Sequence, residues 1–487
     1  MDIREAKQQV KDSVEAYLAR DDAGLFRIPP AEQRPLFLLG APGIGKTAVV
    51  AQVANELGIG LVSYSMTHHT RQSALGLPLI VHRTYRSGAE FDISEYTMSE
   101  IIASIYDYME DTELESGILF LDEINCVSET LYPSMLQFLQ FKTFGRHAVP
   151  SGWVVVCAGN PPEYNRNVHE FDIVTMDRLR RVEVEPSLEA WQAYARERGV
   201  HPAITSYLEV HPDDFYLVES TPAGKQFVSA RSWSELSSLL TLLEDLCKPI
   251  GSNVIEQYVQ HPEIASRFTA YYELFAKYRS DYQIEAILAG RAPADIIARA
   301  KAAPFDERLA LLSLLLDATS AKMRNVLIRN DALTCVRNEL RRAKGSEHAG
   351  KKLALAATAI AKKSEDTAGS ANPEDARSTA LAAVLLHDFA LMEDFEQVAD
   401  AYSQQVGALE EHTNDASSAL ESAYAFVDEA FGTLREALVF TTELTARRDT
   451  ARFIARFGSD AYHKHSAMLA TDTERDAIFE EIDALRA

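Results

Sequence analysis

Apolar residues recur at Ile3, Ala6, Val10, Val14 and Leu18, three or four positions apart, and this period predicts an amphipathic N-terminal helix. A Pro-containing linker, Phe26 to Pro35, follows it. The pattern then changes to short apolar runs at Leu36–Leu39, Leu61–Ser65, Ile118–Leu121 and Trp153–Ala158, with a further short strand near Val182. Runs without polar interruption predict parallel strands buried on both faces. Helical segments lie between them: Thr47 to Leu57, stopped by Gly58; residues 97–109, opened by a capping-box pattern at Thr97-Met98-Ser99-Glu100; and Glu129 to Phe141. Residues 68–96 are less regular and read as a small hairpin-like insertion, and Gly145 to Gly152 as a tight turn region. Strand and helix alternate, which predicts an α/β domain with a parallel sheet.

From Pro186 onward the period is helical. One helix starts at Ser187-Leu188-Glu189-Ala190-Trp191, and another at Phe227 to Trp233 carries Leu236, Leu239, Leu240 and Leu243 on one face. Residues 250–487 carry no catalytic motif. The aromatic stretch from Tyr271 to Tyr282 has helical spacing and reads as core packing. Residues 362–376 read as a polar loop flanked by long helices, including 377–412 and 415–446, which predict an antiparallel hairpin or coiled coil. His463 and His465 stand two apart on a helix, do not share a face, and read as surface residues. The expected organisation is an N-terminal helix and linker (1–30), an α/β nucleotide-binding subdomain (31–186), a helical lid (187–279) and an α-helical C-terminal domain (280–487).

Composition narrows the picture. A chain of 487 residues has room for two to four domains. Its formal net charge of −24 argues against broad nucleic-acid binding, although it leaves room for a local basic channel. There is no signal-peptide pattern and no long uncharged apolar run, so a cytoplasmic protein without a membrane partner is expected. Four scattered cysteines form no Cys-x-x-Cys pair, and Cys157 and Cys247 fall in predicted core elements.

The candidate chemistry begins at Gly40-Ala41-Pro42-Gly43-Ile44-Gly45-Lys46-Thr47-Ala48, where a strand runs through G-x-x-x-x-G-K-T into a helix. Glycines let successive backbone N–H groups turn inward as an anion nest, and the helix start adds its positive dipole end. Lys46 is placed to reach β- and γ-phosphates and Thr47 to offer a hydroxyl to Mg²⁺. Asp122 and Glu123 end a buried strand 76 residues after Lys46. Asp122 suits Mg²⁺ and Glu123 suits polarisation of a water. Taken alone, such a pair is also an ordinary solvated strand end. Asn160 follows the Trp153–Ala158 strand; it could orient water, or it could simply start a turn before Pro161 and Pro162. Asp177-Arg178-Leu179-Arg180-Arg181 offers arginines that could stabilise charge at a neighbour's nucleotide, or pair with Glu183 and Glu185 at the surface. Arg231 could contact phosphate from a lid or be a surface residue.

Together these motifs resemble AAA+ ATPases, and within them the MoxR group of the helix-2-insert clade. The resemblance rests on Gly40–Thr47, Gly76-Leu77-Pro78, Leu119–Glu123, Val149 to Trp153 running on to Gly159-Asn160-Pro161, and Ser229-Ala230-Arg231. It covers roughly residues 30–250. It implies an α/β P-loop NTPase core with a parallel sheet and helical lid, here with an all-α C-terminal extension. It implies ATP and Mg²⁺, with Lys46 and Thr47 in the Walker A role, Asp122 and Glu123 in the Walker B role, Asn160 as sensor 1 and Arg231 as sensor 2. Arg178 resembles the arginine finger, with Arg180 and Arg181 as rivals, because the usual Asp-Arg-Phe is here Asp-Arg-Leu-Arg-Arg. The resemblance further implies a homo-oligomeric, usually hexameric ring and a partner bearing a von Willebrand factor A domain. The nearest match to that domain's metal motif in this chain, Asp317 to Ala321, fails at its third and fifth positions. The partner domain is therefore expected on a separate chain.

Three functions compete at this stage. The first is an ATP-driven machine that remodels a client protein, chaperone-like. The second is an ATP-gated assembly scaffold with little turnover, against which Glu123 argues. The third is a nucleic-acid-directed NTPase motor, which the acidity disfavours.

Overall fold

The computed structural model describes all residues except 69–73, 75, 145, 165–167, 169–170, 222–223, 346–347, 368–372, 393, 433–434 and 470–487. Parts of the expected insertion, the turn at Gly145 and the middle of the polar loop at 362–376 thus lie outside the described residues. The chain divides into two compact units, Met1–Ala190 with Ser229–Ser232, and Trp191–Val228 with Trp233–Ala487.

The first unit contains α1 (Ile3–Leu18), β1 (Leu36–Gly40), α2 (Lys46–Leu57), β2 (Gly60–Ser65), β3 (Pro78–Thr84), β4 (Glu90–Tyr96), α3 (Glu100–Thr112), β5 (Gly117–Asp122), α4 (Tyr132–Phe141), β6 (Thr143–Phe144), β7 (His147–Ala148), β8 (Trp153–Gly159), α5 (Ile173–Met176) and β9 (Arg180–Val184). Five strands form one parallel sheet in the order β2-β5-β8-β1-β9. All seven residues of β8 are buried, which explains its run without alternation. Parallel pairing brings the C-terminal ends of β1, β2, β5 and β8 to one edge, where Gly40, Ser65, Asp122 and Gly159 lie.

Inside the expected insertion, β3 and β4 form an antiparallel ribbon from Pro78↔Tyr96 to Thr84↔Glu90. The capping box expected at Thr97 is not what opens α3. Its N-cap is Ser99, with no side-chain cap bond, while the Thr97 hydroxyl accepts from the Leu77 N–H instead. A complete capping box stands at the start of α1, between Asp2 and Glu5. α4 begins at Tyr132 rather than Glu129, with Pro133 in its first turn, where its missing N–H costs no helical bond.

The second unit is mostly helical: α6 (Leu188–Arg198, which starts in the first unit), α7 (Pro202–Val210), β10 (Leu217–Thr221), β11 (Gly224–Val228), α8 (Ala230–Asp245, likewise shared), α9 (Ser252–Ile255), α10 (Pro262–Asp281), α11 (Ile284–Leu288), α12 (Ala294–Ala302), α13 (Phe305–Ala343), α14 (Ala349–Thr367), α15 (Pro373–Ala390), α16 (Phe395–Phe431), α17 (Arg435–Ala446), α18 (Arg448–Phe457) and α19 (Asp460–Leu469). In the aromatic stretch Tyr272, Phe275 and Tyr282 are buried, as expected of core, whereas Leu274 is exposed.

The long helices differ from the expected 377–412 and 415–446. The break falls after Ala390, where the Asp394 side chain caps α16 by accepting from the Gln397 N–H. Residues 412–415 lie inside α16, because the Thr413 hydroxyl donates to the Leu409 carbonyl and needs no turn. α14 and α15 pair as a hairpin, and they take in both ends of the stretch expected as a polar loop, since α14 runs to Thr367 and α15 starts at Pro373. Two further expectations are corrected. His465 is buried, stacked on Tyr424 at 4.4 Å between ring centres, with Nε2 2.9 Å from Asp428 Oδ1. Cys247 is exposed, in a left-handed backbone conformation.

Candidate nucleotide site

The loop from Gly40 to Thr47 leaves β1 and enters α2 at the C-terminal edge of the sheet. Gly43 and Gly45 have φ of +75° and +99°, a region that favours glycine. A Cβ on Gly43 would also stand 2.9 Å from Ser229 Oγ and 3.3 Å from Arg231 Cβ. The loop thus packs directly against the start of α8, and the Arg231 N–H donates to the Gly43 carbonyl at 3.1 Å.

Lys46 is buried, and its Nζ donates to the carbonyls of Gly40 and Ala41, both at 2.8 Å, and to Asn160 Oδ1 at 2.9 Å. Burial pushes its ammonium down to about 8, helped by the Arg231 charge and opposed by Asp122 and Glu123. Thr47 Oγ1 donates to Asp122 Oδ2 at 2.8 Å, and Asp122 Oδ1 accepts from the Glu123 N–H. A hydroxyl and a carboxylate oxygen side by side form the hard oxygen donor set that Mg²⁺ prefers. They fit the metal that the motif implies.

Glu123 sits at φ +54°, an uncommon conformation for a non-glycine residue. The turn carries its carboxylate toward the end of β2. There Glu123 Oε2 accepts from Thr67 Oγ1 at 3.2 Å and Ser65 Oγ at 3.5 Å. Asn160 is held from behind: Asn125, 3% exposed, donates Nδ2–H to the Asn160 carbonyl at 2.8 Å. A cavity of about 580 Å³ opens beside Gly40 and Ala41, lined among others by Phe37, Asn125, Phe171 and Glu183.

One edge thus gathers Lys46, Thr47, Asp122, Glu123, Asn160 and Arg231 with the loop from Gly40 to Ala48. The arginines after Asp177 separate by their contacts. Arg180 donates to Ser13 Oγ and Gln9 Oε1, both at 2.7 Å, and Arg181 pairs with Glu183. Among the described residues Arg178 forms no hydrogen bond or ion pair through its guanidinium, and it is half-buried beside Asp172. Sequence reasoning missed Asn125, Ser65, Thr67 and Ser229. Ser65 carried a signal, as a polar residue ending a strand at the ligand edge, whereas Asn125 and Ser229 act through contacts between distant segments.

No curated protein matches the chain. The family model described as ATPase family associated with various cellular activities (AAA) matches residues 36–164, a span that includes Lys46, Thr47, Asp122, Glu123 and Asn160 and ends before Arg178 and Arg231. The five-stranded parallel sheet with its P-loop, followed by a helical C-terminal region, agrees with that match, and the chain therefore carries an AAA-type ATPase domain.

Proposed function

We propose that this chain hydrolyses ATP in a homo-oligomeric ring and uses the cycle to remodel or activate a client protein, in the manner of MoxR-type chaperones acting with a separate von Willebrand factor A domain protein. The observation that carries the ATPase reading is the convergence of Lys46, Thr47, Asp122, Glu123 and Asn160 on one sheet edge. Lys46 and the loop amides bind and orient the β- and γ-phosphates. Thr47 and Asp122 would hold Mg²⁺, which would neutralise phosphate charge when bound. Glu123, once free of Thr67 and Ser65, accepts the proton of the attacking water, while Asn160 fixes that water's position. Arg231 faces the loop from the start of α8, and Arg178, whose guanidinium forms no hydrogen bond or ion pair among the described residues, is the arginine offered to a neighbour's nucleotide. The scaffold alternative has no use for Glu123 poised on two hydroxyl donors.

ATP turnover measured across protein concentration, with mass determined in parallel, tests this. The wild type is expected to turn over faster as it assembles, and Glu123→Gln to bind ATP and assemble without turnover. Tight ATP binding and assembly with no turnover in the wild type would overturn the motor reading in favour of the scaffold.

A further inference from the structure

Against the overall charge of −24, residues 337–363 carry eight Lys and Arg and only two Glu. On the exposed face of α14 stand Lys351, Lys352 and Lys362, with Leu355 between them at 72% exposure. α16 is the opposite case, with eight carboxylates and neither Lys nor Arg in its 37 residues. Its Asp415 pairs with Lys322, and its Asp428 with Lys464 and His465. Asp400, Glu410 and Glu411 are exposed. Among the described residues, none of these three, nor Lys351, Lys352 or Lys362, takes part in an ion pair.

A second observation concerns Gly407. It lies in the middle of α16, is exposed, and a Cβ there would meet nothing within 4 Å. Glycine inside a helix costs about 1 kcal/mol relative to Ala. Among the described residues, no close approach requires it. A residue without a Cβ does allow another helix to come close.

The two faces match in register. Lys351 and Lys362 are eleven residues apart, as are Asp400 and Glu411, which is three turns and about 16 Å on one helix face. Laid antiparallel, Lys351 meets Glu411, Lys352 meets Glu410 and Lys362 meets Asp400. The same alignment sets Leu355 on Gly407, with Thr358 and Ala359 facing Gln404 and Ser403. The parallel alignment also pairs charges, but it sets Leu355 on Gln404 and leaves the glycine unused.

We propose that the exposed face of α14 docks antiparallel on the exposed face of α16 of a second copy of this chain. The two faces differ, so the contact is head-to-tail, and each copy offers both halves. Such a contact closes into a ring or runs on as a filament. It involves no residue of the nucleotide site and operates without nucleotide.

The test is the mass of the full chain, free of nucleotide, by sedimentation velocity across concentration at 50 and 500 mM salt. The wild type is expected to self-associate, less so at high salt. The triple variants Lys351→Glu/Lys352→Glu/Lys362→Glu and Asp400→Lys/Glu410→Lys/Glu411→Lys should each lower the association constant by at least about tenfold, since like charges then face each other. A chain carrying both sets, or an equal mixture of the two variants, should recover it. Gly407→Leu should weaken association about tenfold by blocking close approach, without lowering the melting temperature, since Leu is the better helix former. A monomer at every concentration, or masses unchanged by both reversals, would overturn the proposal. So would loss of binding to a labelled single-stranded oligonucleotide in the lysine variant with its mass unchanged, because the basic face would then serve a polyanion. Failure of the ATPase reading would leave these masses untouched.

Discussion

Asn125 offers the sharpest test of how the site is held. Its amide donates to the Asn160 carbonyl at 2.8 Å, and Asn160 Oδ1 in turn accepts from Lys46 Nζ at 2.9 Å. Asn125 is 3% exposed but lines the cavity beside Gly40, so water can replace the donor lost in Asn125→Ala only in part. Leaving that carbonyl short of a donor costs about 1–3 kcal/mol, with the lower half of that range expected where water has access. The displaced strand end moves the Asn160 side chain, and a shift of about 1 Å at a water-positioning group lowers kcat on the order of a hundredfold. Lys46 keeps its bonds to the Gly40 and Ala41 carbonyls and the loop amides are unchanged, so ATP affinity should change by less than about threefold. Steady-state ATP hydrolysis, binding of a fluorescent ATP analogue and thermal denaturation separate these effects. Asn125→Asp, which keeps the size but loses the donor, should do no better than Ala. A variant that melts earlier yet keeps wild-type kcat would refute the reasoning, because Asn125 would then serve stability alone.

Four further outcomes are expected. Lys46 titrates at about 8 in the described site and binds phosphate only as the ammonium. ATP affinity should therefore fall as pH rises from 7 to 9, a slope lost in Lys46→Met, and a flat wild-type profile would contradict the assigned contacts. Gly43→Ala forces a side chain onto a left-handed backbone 2.9 Å from Ser229 Oγ, so nucleotide binding should weaken by tenfold or more while far-ultraviolet circular dichroism is unchanged. Arg180→Ala, which loses two hydrogen bonds to α1, should lower stability by about 1–2 kcal/mol, whereas Arg178→Ala should lower turnover of the assembled protein at unchanged melting temperature; the reverse pattern would exchange their roles. In the second unit, burial would raise the Glu244 pKa, but hydrogen bonds from His201 and Tyr272 and the Arg279 charge outweigh it and hold the carboxyl at about 2. A lowered carboxylate pKa contributes stability above the unfolded value of 4.5 and loses it as pH falls toward 2. Glu244→Gln should flatten acid unfolding in that window by on the order of 2 kcal/mol.

The sequence by itself determined the α/β class and the P-loop, because strands buried on both faces have no alternation and a phosphate loop needs glycines at fixed spacing. It also placed Asp122, Glu123 and Asn160 at strand ends, and parallel pairing then requires those ends to share one edge. Local signals misled where a side chain could satisfy itself in more than one way. The gap expected between helices at 413–414 lies inside α16, where Thr413 back-bonds to Leu409, and the Thr97 hydroxyl, which looked like a cap, accepts from Leu77 instead. Only the tertiary structure decided the rest: that Glu123 rests on Thr67 and Ser65, that Asn125 holds Asn160, that Ser229 and Arg231 close on Gly43, and that Arg180 is engaged by α1 while Arg178 is not. These are contacts between segments from 35 to more than 180 residues apart in the chain. Periodicity and motif spacing report only neighbours along the backbone, whereas such contacts depend on which strands pair and in what order.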